Sequence, residues 1–170
     1  AYNAAVAWYR SGRYDRALRF SEIAHGELAE SMAVRYLHGV LLQTVGRYGD
    51  ARDLLTGTLS RAEELGSVFH VAIAYLNLGV SSRLLGDLDA ALESFEAAAR
   101  LGREQGWQGV VSAALMGRGR VLLTLGDREG ANSAWAEARR LGRRSGFEAA
   151  EADSSLSLAA LALAEGKREK

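Results

Sequence analysis

Apolar residues recur along this chain at the three- and four-residue spacing of an α-helix, and short polar turns that contain glycine separate the periodic stretches. The stretch "LNLGVSSRLLGDLDAALESF", residues 76–95, contains such a turn, in which Gly86 ends one apolar stretch and Asp87 precedes the next. Glycine can end a helix by adopting a left-handed backbone conformation, and aspartate can cap the start of the following helix. The pattern therefore predicts helices joined by short turns.

The turn glycines recur at a nearly fixed spacing. They are Gly12, Gly46, Gly86, Gly126 and Gly166, of which the first two are thirty-four positions apart and all later neighbours are forty positions apart. A period in this range is typical of a solenoid built from repeated units. Each unit is predicted to consist of one helix, a turn and a second helix.

Small residues lie at constant distances from these turns. Gly39, Gly79 and Gly119 come seven residues before a turn glycine, and Ala17, Ala51, Ala91 and Ala131 come five residues after one. Leu55, Phe95 and Trp135 follow nine residues after a turn, and Ala24, Ala98 and Ala138 follow twelve residues after one. Small side chains let two helices approach closely, so these positions predict the packing stripe between the helices of each unit.

The recurring positions resemble the tetratricopeptide repeat family, whose pattern runs from a large apolar residue through Leu-Gly and a turn to Ala, Phe and Ala. The residues that match it best are Tyr75, Leu78, Gly79, Leu88, Ala91, Phe95 and Ala98. Three positions depart from the pattern: Ser21 occupies a large apolar position, Thr58 an alanine position and Arg118 a leucine position. Units as long as these resemble the repeats in bacterial multidomain transcription regulators of the maltose-activator and LuxR-like group.

The resemblance implies an all-α, right-handed α-solenoid of about four helix-turn-helix repeats plus a terminal helix. The expected hairpins span residues 1–28, 29–66, 67–106 and 107–146, and the terminal helix spans 147–166, within one domain of 1–170. The first residue is not methionine and the last repeat is unfinished, so we expect the chain to be a segment of a longer protein.

In this family the first helix of each hairpin lines a concave groove, and the resemblance places twelve residues there. They are Asn3, Tyr9, Arg10, Tyr36, Val40, Gln43, Ile73, Asn77, Val80, Arg83, Met116 and Arg120. Asn77 stands where related domains hold a peptide backbone, and Arg83 and Arg120 could bind a carboxylate. Tyr36 is either a groove anchor or a packing residue between adjacent hairpins. The residue set of members that bind chaperone tails is incomplete, so that partner is not predicted.

Composition excludes several classes of function. The chain has no cysteine, which removes disulfides, thiolate metal sites and cysteine nucleophiles and suits the cytoplasm. Its 21 basic residues balance its 21 acidic residues, so no overall field favours nucleic acid or an anionic membrane. The apolar runs are interrupted before they reach the roughly 20 residues that span a bilayer.

No motif of catalysis or cofactor binding is complete. His25, His38 and His70 lack metal-ligand spacing, and "GRGR", residues 117–120, lacks the third glycine of a dinucleotide site. There the sequence indicates a packing glycine, Gly119, beside a groove glycine, Gly117. The arginines of "EARRLGRRSG" are interpreted as a solvated helix end. We therefore expect no enzyme activity, no metal and no cofactor.

Two hypotheses of function follow. The first is a protein- or peptide-binding scaffold that uses the concave groove without catalysis. The alternative is the effector-sensing or oligomerisation domain of a bacterial transcription regulator. We also expect self-association through the ends of the solenoid, where terminal hairpins expose apolar surface.

Overall fold

The computed structural model describes residues 1–145 and 156–160, and α-helices dominate both ranges. Eight helices have defined bounds: Tyr2–Arg10 (α1), Tyr14–Glu27 (α2), Met32–Thr44 (α3), Tyr48–Glu64 (α4), Val68–Leu85 (α5), Leu88–Glu104 (α6), Gln108–Thr124 (α7) and Arg128–Ser145 (α8). No strand occurs in the described ranges. The predicted all-α class is confirmed. The terminal helix predicted at 147–166 falls mostly outside the described residues, of which 156–160 are helical.

Two compact units divide the chain, Ala1–Asp87 and Leu88–Lys170. In the first unit α3 contacts both α1 and α5, while α2 packs against α1 and α3, and α4 packs against α3 and α5. In the second unit α7 packs against both α6 and α8. A helix with neighbours on two sides must be apolar on more than one face, which applies to α3 and to α7.

The turns between helices use glycine in the left-handed region. Gly12, Gly46, Gly86 and Gly126 have φ angles of 73°, 84°, 83° and 86°, so the prediction made for these glycines is confirmed. Gly66 and Gly106 adopt the same conformation, with φ angles of 62° and 73°. Between Gly46 and Gly126 the turn glycines are therefore evenly spaced, with one midway along each repeat unit, and this spacing sets the length of helices α4 to α7.

Acidic residues lie at the start of three of the second helices. Asp127 accepts a hydrogen bond from the backbone N–H of Gly130 at 2.8 Å, which caps the start of α8. Asp15 and Asp50 lie in the first turns of α2 and α4, where a negative charge favours the helix dipole.

The predicted packing stripe is buried. Its seven alanines are fully buried, namely Ala17, Ala24, Ala51, Ala91, Ala98, Ala131 and Ala138. A side chain at Gly39 would meet Leu55 Cδ2 at 3.0 Å, and one at Gly119 would overlap the Trp135 ring. Glycine at these positions allows the close approach of α3 to α4 and of α7 to α8.

Two of the three departures from the repeat pattern have polar partners on α3. The Ser21 hydroxyl lies 2.8 Å from Nδ1 of His38. The buried Thr58 hydroxyl donates to the Leu54 carbonyl at 2.7 Å and accepts from Nε of Arg35 at 3.0 Å. Both polar residues therefore take the place of apolar ones without losing their hydrogen bonds.

One described helix, α5, is long and apolar enough to cross a membrane by length and composition alone, with a mean hydropathy of 1.3 over its 18 residues. The sequence led us to expect that every apolar run would be interrupted before it reached a membrane-spanning length, and α5 is longer and more apolar than that expectation. α5 packs against α3 and α4, and its residues Ala72, Ala74 and Leu78 are buried. One third of this 18-residue window is buried inside the structure.

Candidate functional site

The residues expected in the groove lie on α1, α3, α5 and α7, the first helices of the predicted hairpins. On α3, Tyr36, Val40 and Gln43 follow the spacing i, i+4, i+7, and on α5, Ile73, Asn77 and Val80 follow the same spacing. Residues with this spacing lie on one face of a helix. Because α3 contacts α5, the structure can bring these two stripes together.

Hydrogen bonds join the two stripes directly. The Tyr36 hydroxyl donates to the His70 carbonyl at 2.6 Å. Nε2 of Gln43 lies 2.9 Å from the Asn77 carbonyl and 2.8 Å from the Ser81 hydroxyl oxygen, and it can donate to both. Tyr36 therefore packs between adjacent hairpins, which was one of the two roles open to it. The six residues of the two stripes, Tyr36, Val40, Gln43, Ile73, Asn77 and Val80, are called the α3–α5 face below.

Tyr36 is held as a neutral donor. Its ring stacks on the His70 ring, with 6.0 Å between the centroids and 13° between the planes. Burial raises the pKa of the Tyr36 hydroxyl to about 12, and the nearby positive charge of Arg35 partly opposes this rise. The hydroxyl therefore keeps its proton, and its bond to α5, throughout the physiological pH range.

Asn77 has hydrogen-bonding capacity left for a partner. Its Nδ2 donates to the Ile73 carbonyl at 2.8 Å, one turn earlier in α5. Among the described residues the second N–H and Oδ1 of this amide form no further hydrogen bond. Three half-buried apolar residues, Val40, Ile73 and Val80, belong to the same face. The α3–α5 face thus combines apolar contact area with one amide that can both donate and accept.

The α1 residues of the predicted site are exposed. Tyr9 is 37% exposed and its ring lies against that of Tyr14, with 5.8 Å between the centroids. Asn3 and Arg10 are also exposed. Although α1 contacts α3, none of these three side chains forms a hydrogen bond to α3 among the described residues. Their assignment to a binding site stays a prediction.

The two arginines proposed to bind carboxylates differ in exposure. Arg83 is half-buried at the end of α5, and Arg120 is exposed on α7. Both already interact with other groups of this chain. Their role as carboxylate-binding residues stays a prediction.

Met116 does not belong to an accessible surface. It is 4% exposed and packs in the cluster that contains Leu115, Trp135 and Leu141. Gly117, interpreted from the sequence as a groove glycine, is buried against the Phe95 ring. Both assignments are corrected because α7 is covered by α6 on one side and by α8 on the other.

The structure reveals a polar cluster that the sequence did not predict. His25, His38 and Ser21 meet where α2 packs on α3, and the two histidine rings stack with 5.2 Å between their centroids. The sequence did contain a signal for this cluster, because the positions that correspond to His25, His38 and Ser21 in the next hairpins are apolar. They are Leu59, Leu78 and Leu55, respectively. Within the described ranges no group of three potential ligands could hold a metal ion.

The arginine-rich stretch lies at the end of α8. Arg143 and Arg144 occupy the last turn of this helix and are exposed, where positive charge complements the helix dipole. This placement agrees with a solvated helix end.

Comparison with known structures supports the α-solenoid class. BtubC from P. vanneervenii is 23% identical, with a TM-score of 0.70 over 85% of this chain and 61% of its own. The apo form of RapI is 14% identical, with a TM-score of 0.72 over 90% of this chain and 58% of its own. TTC0263, a thermophilic tetratricopeptide repeat protein of Thermus thermophilus, is 25% identical, with a TM-score of 0.66 over 98% of this chain and 87% of its own.

This chain thus spans about three fifths of the length of BtubC and of RapI. No curated protein sequence matches it. Sequence profiles of the tetratricopeptide repeat match residues 30–104 and residues 1–22, which together make up more than half of the chain. With the helix pairs, the buried alanine stripe and the turn glycines described above, these matches show that the chain belongs to the tetratricopeptide repeat family.

Proposed function

We propose that this chain is a non-catalytic scaffold that holds a segment of another protein on the α3–α5 face, in the cytoplasm. The tetratricopeptide repeat family and its structural neighbours support a role in protein interaction. A scaffold requires a surface that is already formed, because ordering the surface during binding would reduce the affinity. The bonds from Tyr36 and Gln43 to α5 supply that order.

One observation carries the proposal, namely the unfilled hydrogen-bonding capacity of Asn77 among half-buried apolar side chains. An extended peptide offers backbone N–H and C=O groups, and a side-chain amide can pair with both. Val40, Ile73 and Val80 would contact the apolar side chains of the same segment. Loss of a buried anchor in such a surface typically costs about 1 to 4 kcal/mol of binding.

The proposal is tested by quantitative capture of partners on immobilised protein. The test variant carries Val40→Asp and Asn77→Ala, and the control variant carries Arg52→Ala and Asp53→Ala on the exposed side of α4. Circular dichroism must show that all three proteins are folded. We expect the test variant to lose at least tenfold in the amount of one specific partner and the control to retain it. Equal capture by both variants would contradict the proposal.

The effector-sensing alternative replaces the polypeptide with a small molecule. It predicts that the low-molecular-weight fraction of the source lysate raises the unfolding temperature of the wild-type protein but not that of the Val40→Asp, Asn77→Ala variant. If this rise occurs while no protein is captured, the alternative is supported against the scaffold. The same pair of proteins thus separates the two hypotheses.

A further inference from the structure

Two histidines stack on each other where the first two helix pairs meet. His25 on α2 and His38 on α3 have ring centroids 5.2 Å apart and planes inclined by 17°. His38 is only 9% exposed, and its Nδ1 lies 2.8 Å from the Ser21 hydroxyl. A buried polar cluster between two packed helices is sensitive to any change in its hydrogen bonds or charge.

The hydrogen bonds fix the protonation of His38. The Ser21 hydroxyl donates its single proton to the Leu18 carbonyl at 2.7 Å. The same oxygen must therefore accept from His38, so Nδ1 of this ring carries the proton. In the neutral ring Nε2 is then unprotonated, and adding a proton there makes the buried ring a cation.

His25 is also adapted to the neutral form. Its Nδ1 is buried and has no hydrogen-bond partner among the described residues. A proton on this atom would create a buried N–H without an acceptor, which is more costly than an unpaired lone pair. Protonation of His25 would also place a second positive charge near Arg35.

The charged groups that act on the pair come from three parts of the first unit. Glu22 lies on α2, Arg35 lies on α3, and Arg47 lies directly before α4. Burial, followed by the Arg35 charge, lowers the pKa of His25. Burial lowers the pKa of His38 as well, with contributions from His25 and Arg47 that exceed what Glu22 restores. Among the described residues, no charge from α1 or α5, the other neighbours of α3, contributes to the pKa of either ring.

We propose that the stacked His25–His38 pair makes the α2–α3 contact sensitive to protons, so that mild acid loosens the packing of the first helix pair on α3. The rings do not form a metal site, because nitrogen lone pairs in nearly parallel, stacked rings cannot converge on one ion. Instead, a proton on His25 is repelled by Arg35, a proton on His38 is repelled by Arg47, and protons on both rings repel each other. Separation of α2 from α3 relieves the repulsion between the rings and that between His25 and Arg35, and it returns the buried rings to water.

The direction of the pH dependence follows from linkage. In the packed state both pKa values lie below the ordinary histidine value of about 6.5, and separation of the helices restores that value. The open state therefore binds more protons below about pH 6.5, and the packed state loses stability as the pH falls through the lowered values. Well above pH 6.5 both states are neutral and the contact keeps its full strength.

Hydrogen exchange of the whole chain at pH 7.0 and pH 5.5 tests the proposal, after correction for the intrinsic exchange rates. Histidines are the side chains expected to titrate between these values, and carboxylates remain ionised. We expect peptides from residues 18–42 to lose protection severalfold at pH 5.5. Peptides from residues 108–140 should keep their protection.

Two variants identify the groups responsible. His25→Leu with His38→Leu places at both positions the residue found in the following hairpin, Leu59 and Leu78, and should abolish the pH response. If this protein does not fold, His25→Gln alone should weaken the response. The control, His70→Gln, alters the third histidine and should retain it. Protection of residues 18–42 that is unchanged by pH, a response that survives in the double leucine variant, or a response that is undiminished in His25→Gln would overturn the proposal.

Discussion

Single small residues determine how closely the helices approach. Gly119 lies against the Trp135 ring and Gly117 against the Phe95 ring, so two faces of α7 each depend on a missing side chain. Glycine within a helix costs about 1 kcal/mol relative to alanine. Here the close contact with a buried aromatic ring offsets that cost, because it removes apolar surface from water.

We predict that Gly119→Ala destabilises the protein by about 1 to 3 kcal/mol, the usual cost of overpacking a core. Gly109→Ala in the same helix is the matched control, since a side chain there meets no atom within 4 Å. The control should be neutral or stabilising by up to about 1 kcal/mol, because alanine is the better helix former. Urea unfolding of the three proteins measures both values. Equal effects of the two substitutions would show that the contact with Trp135 is not close.

The sequence predicted single residues well at repeated positions that have the same structural role in every unit. Four of the five predicted turn glycines and the buried alanines follow from the repeat spacing alone and are confirmed, while Gly166 lies outside the described residues. Met116 was assigned wrongly because helical periodicity assumes one buried face, whereas α7 is buried on two. Gly66 and Gly106 were not singled out, although each lies midway between two recognised turn glycines.

Pairs of adjacent helices are held by hydrogen bonds as well as by apolar packing. Gln43 on α3 reaches both the Asn77 carbonyl and the Ser81 hydroxyl on α5. Tyr36 to His70 and Gln43 to Asn77 both join residues that are 34 positions apart. The sequence could not reveal these bonds, because they depend on how far α3 is shifted along α5. The amphipathic pattern of each helix shows which face is buried but gives no information about that shift.

We predict that Gln43→Ala lowers the stability by about 1 to 2 kcal/mol, since it leaves the partly buried groups on α5 without their donor. Thr44→Ala is the control, because among the described residues the exposed Thr44 hydroxyl bonds only to the Val40 carbonyl of its own helix. Hydrogen exchange should locate the loss of protection in α5 for the first variant and not for the second. Unchanged protection of α5 in Gln43→Ala would mean that these bonds do not hold the two helices together.

At the scale of the whole molecule, an exposed apolar surface on α1 and α2 is a candidate for self-association. Trp8, Phe20 and Ile23 line a cleft of about 510 Å³, together with Arg16 and Arg19. Ile23 is 51% exposed, and the Arg16 guanidinium lies 4.8 Å from the centroid of the Trp8 ring. Exposed apolar patches bordered by polar groups often mark interaction surfaces.

We predict that the isolated chain self-associates at high concentration and that Ile23→Glu reduces this association. Light scattering over a range of concentrations measures the mass of both proteins, and Arg52→Gln on α4, which also lowers the net charge by one unit, serves as the control for the change in charge. A monomeric wild-type protein at all concentrations would refute self-association. Association that is equal in the Ile23 variant would assign it to another surface.

Site-specific photo-crosslinking tests the binding role of the α3–α5 face most directly. A photoreactive amino acid at position 40 or 80 lies on the face, and one at position 53 lies on an exposed part of α4. Mass spectrometry of the crosslinked products from lysate then identifies what is bound. We predict that positions 40 and 80 capture the same polypeptide and that position 53 does not. Capture of that polypeptide at position 53 but at neither face position would contradict a binding role for this face.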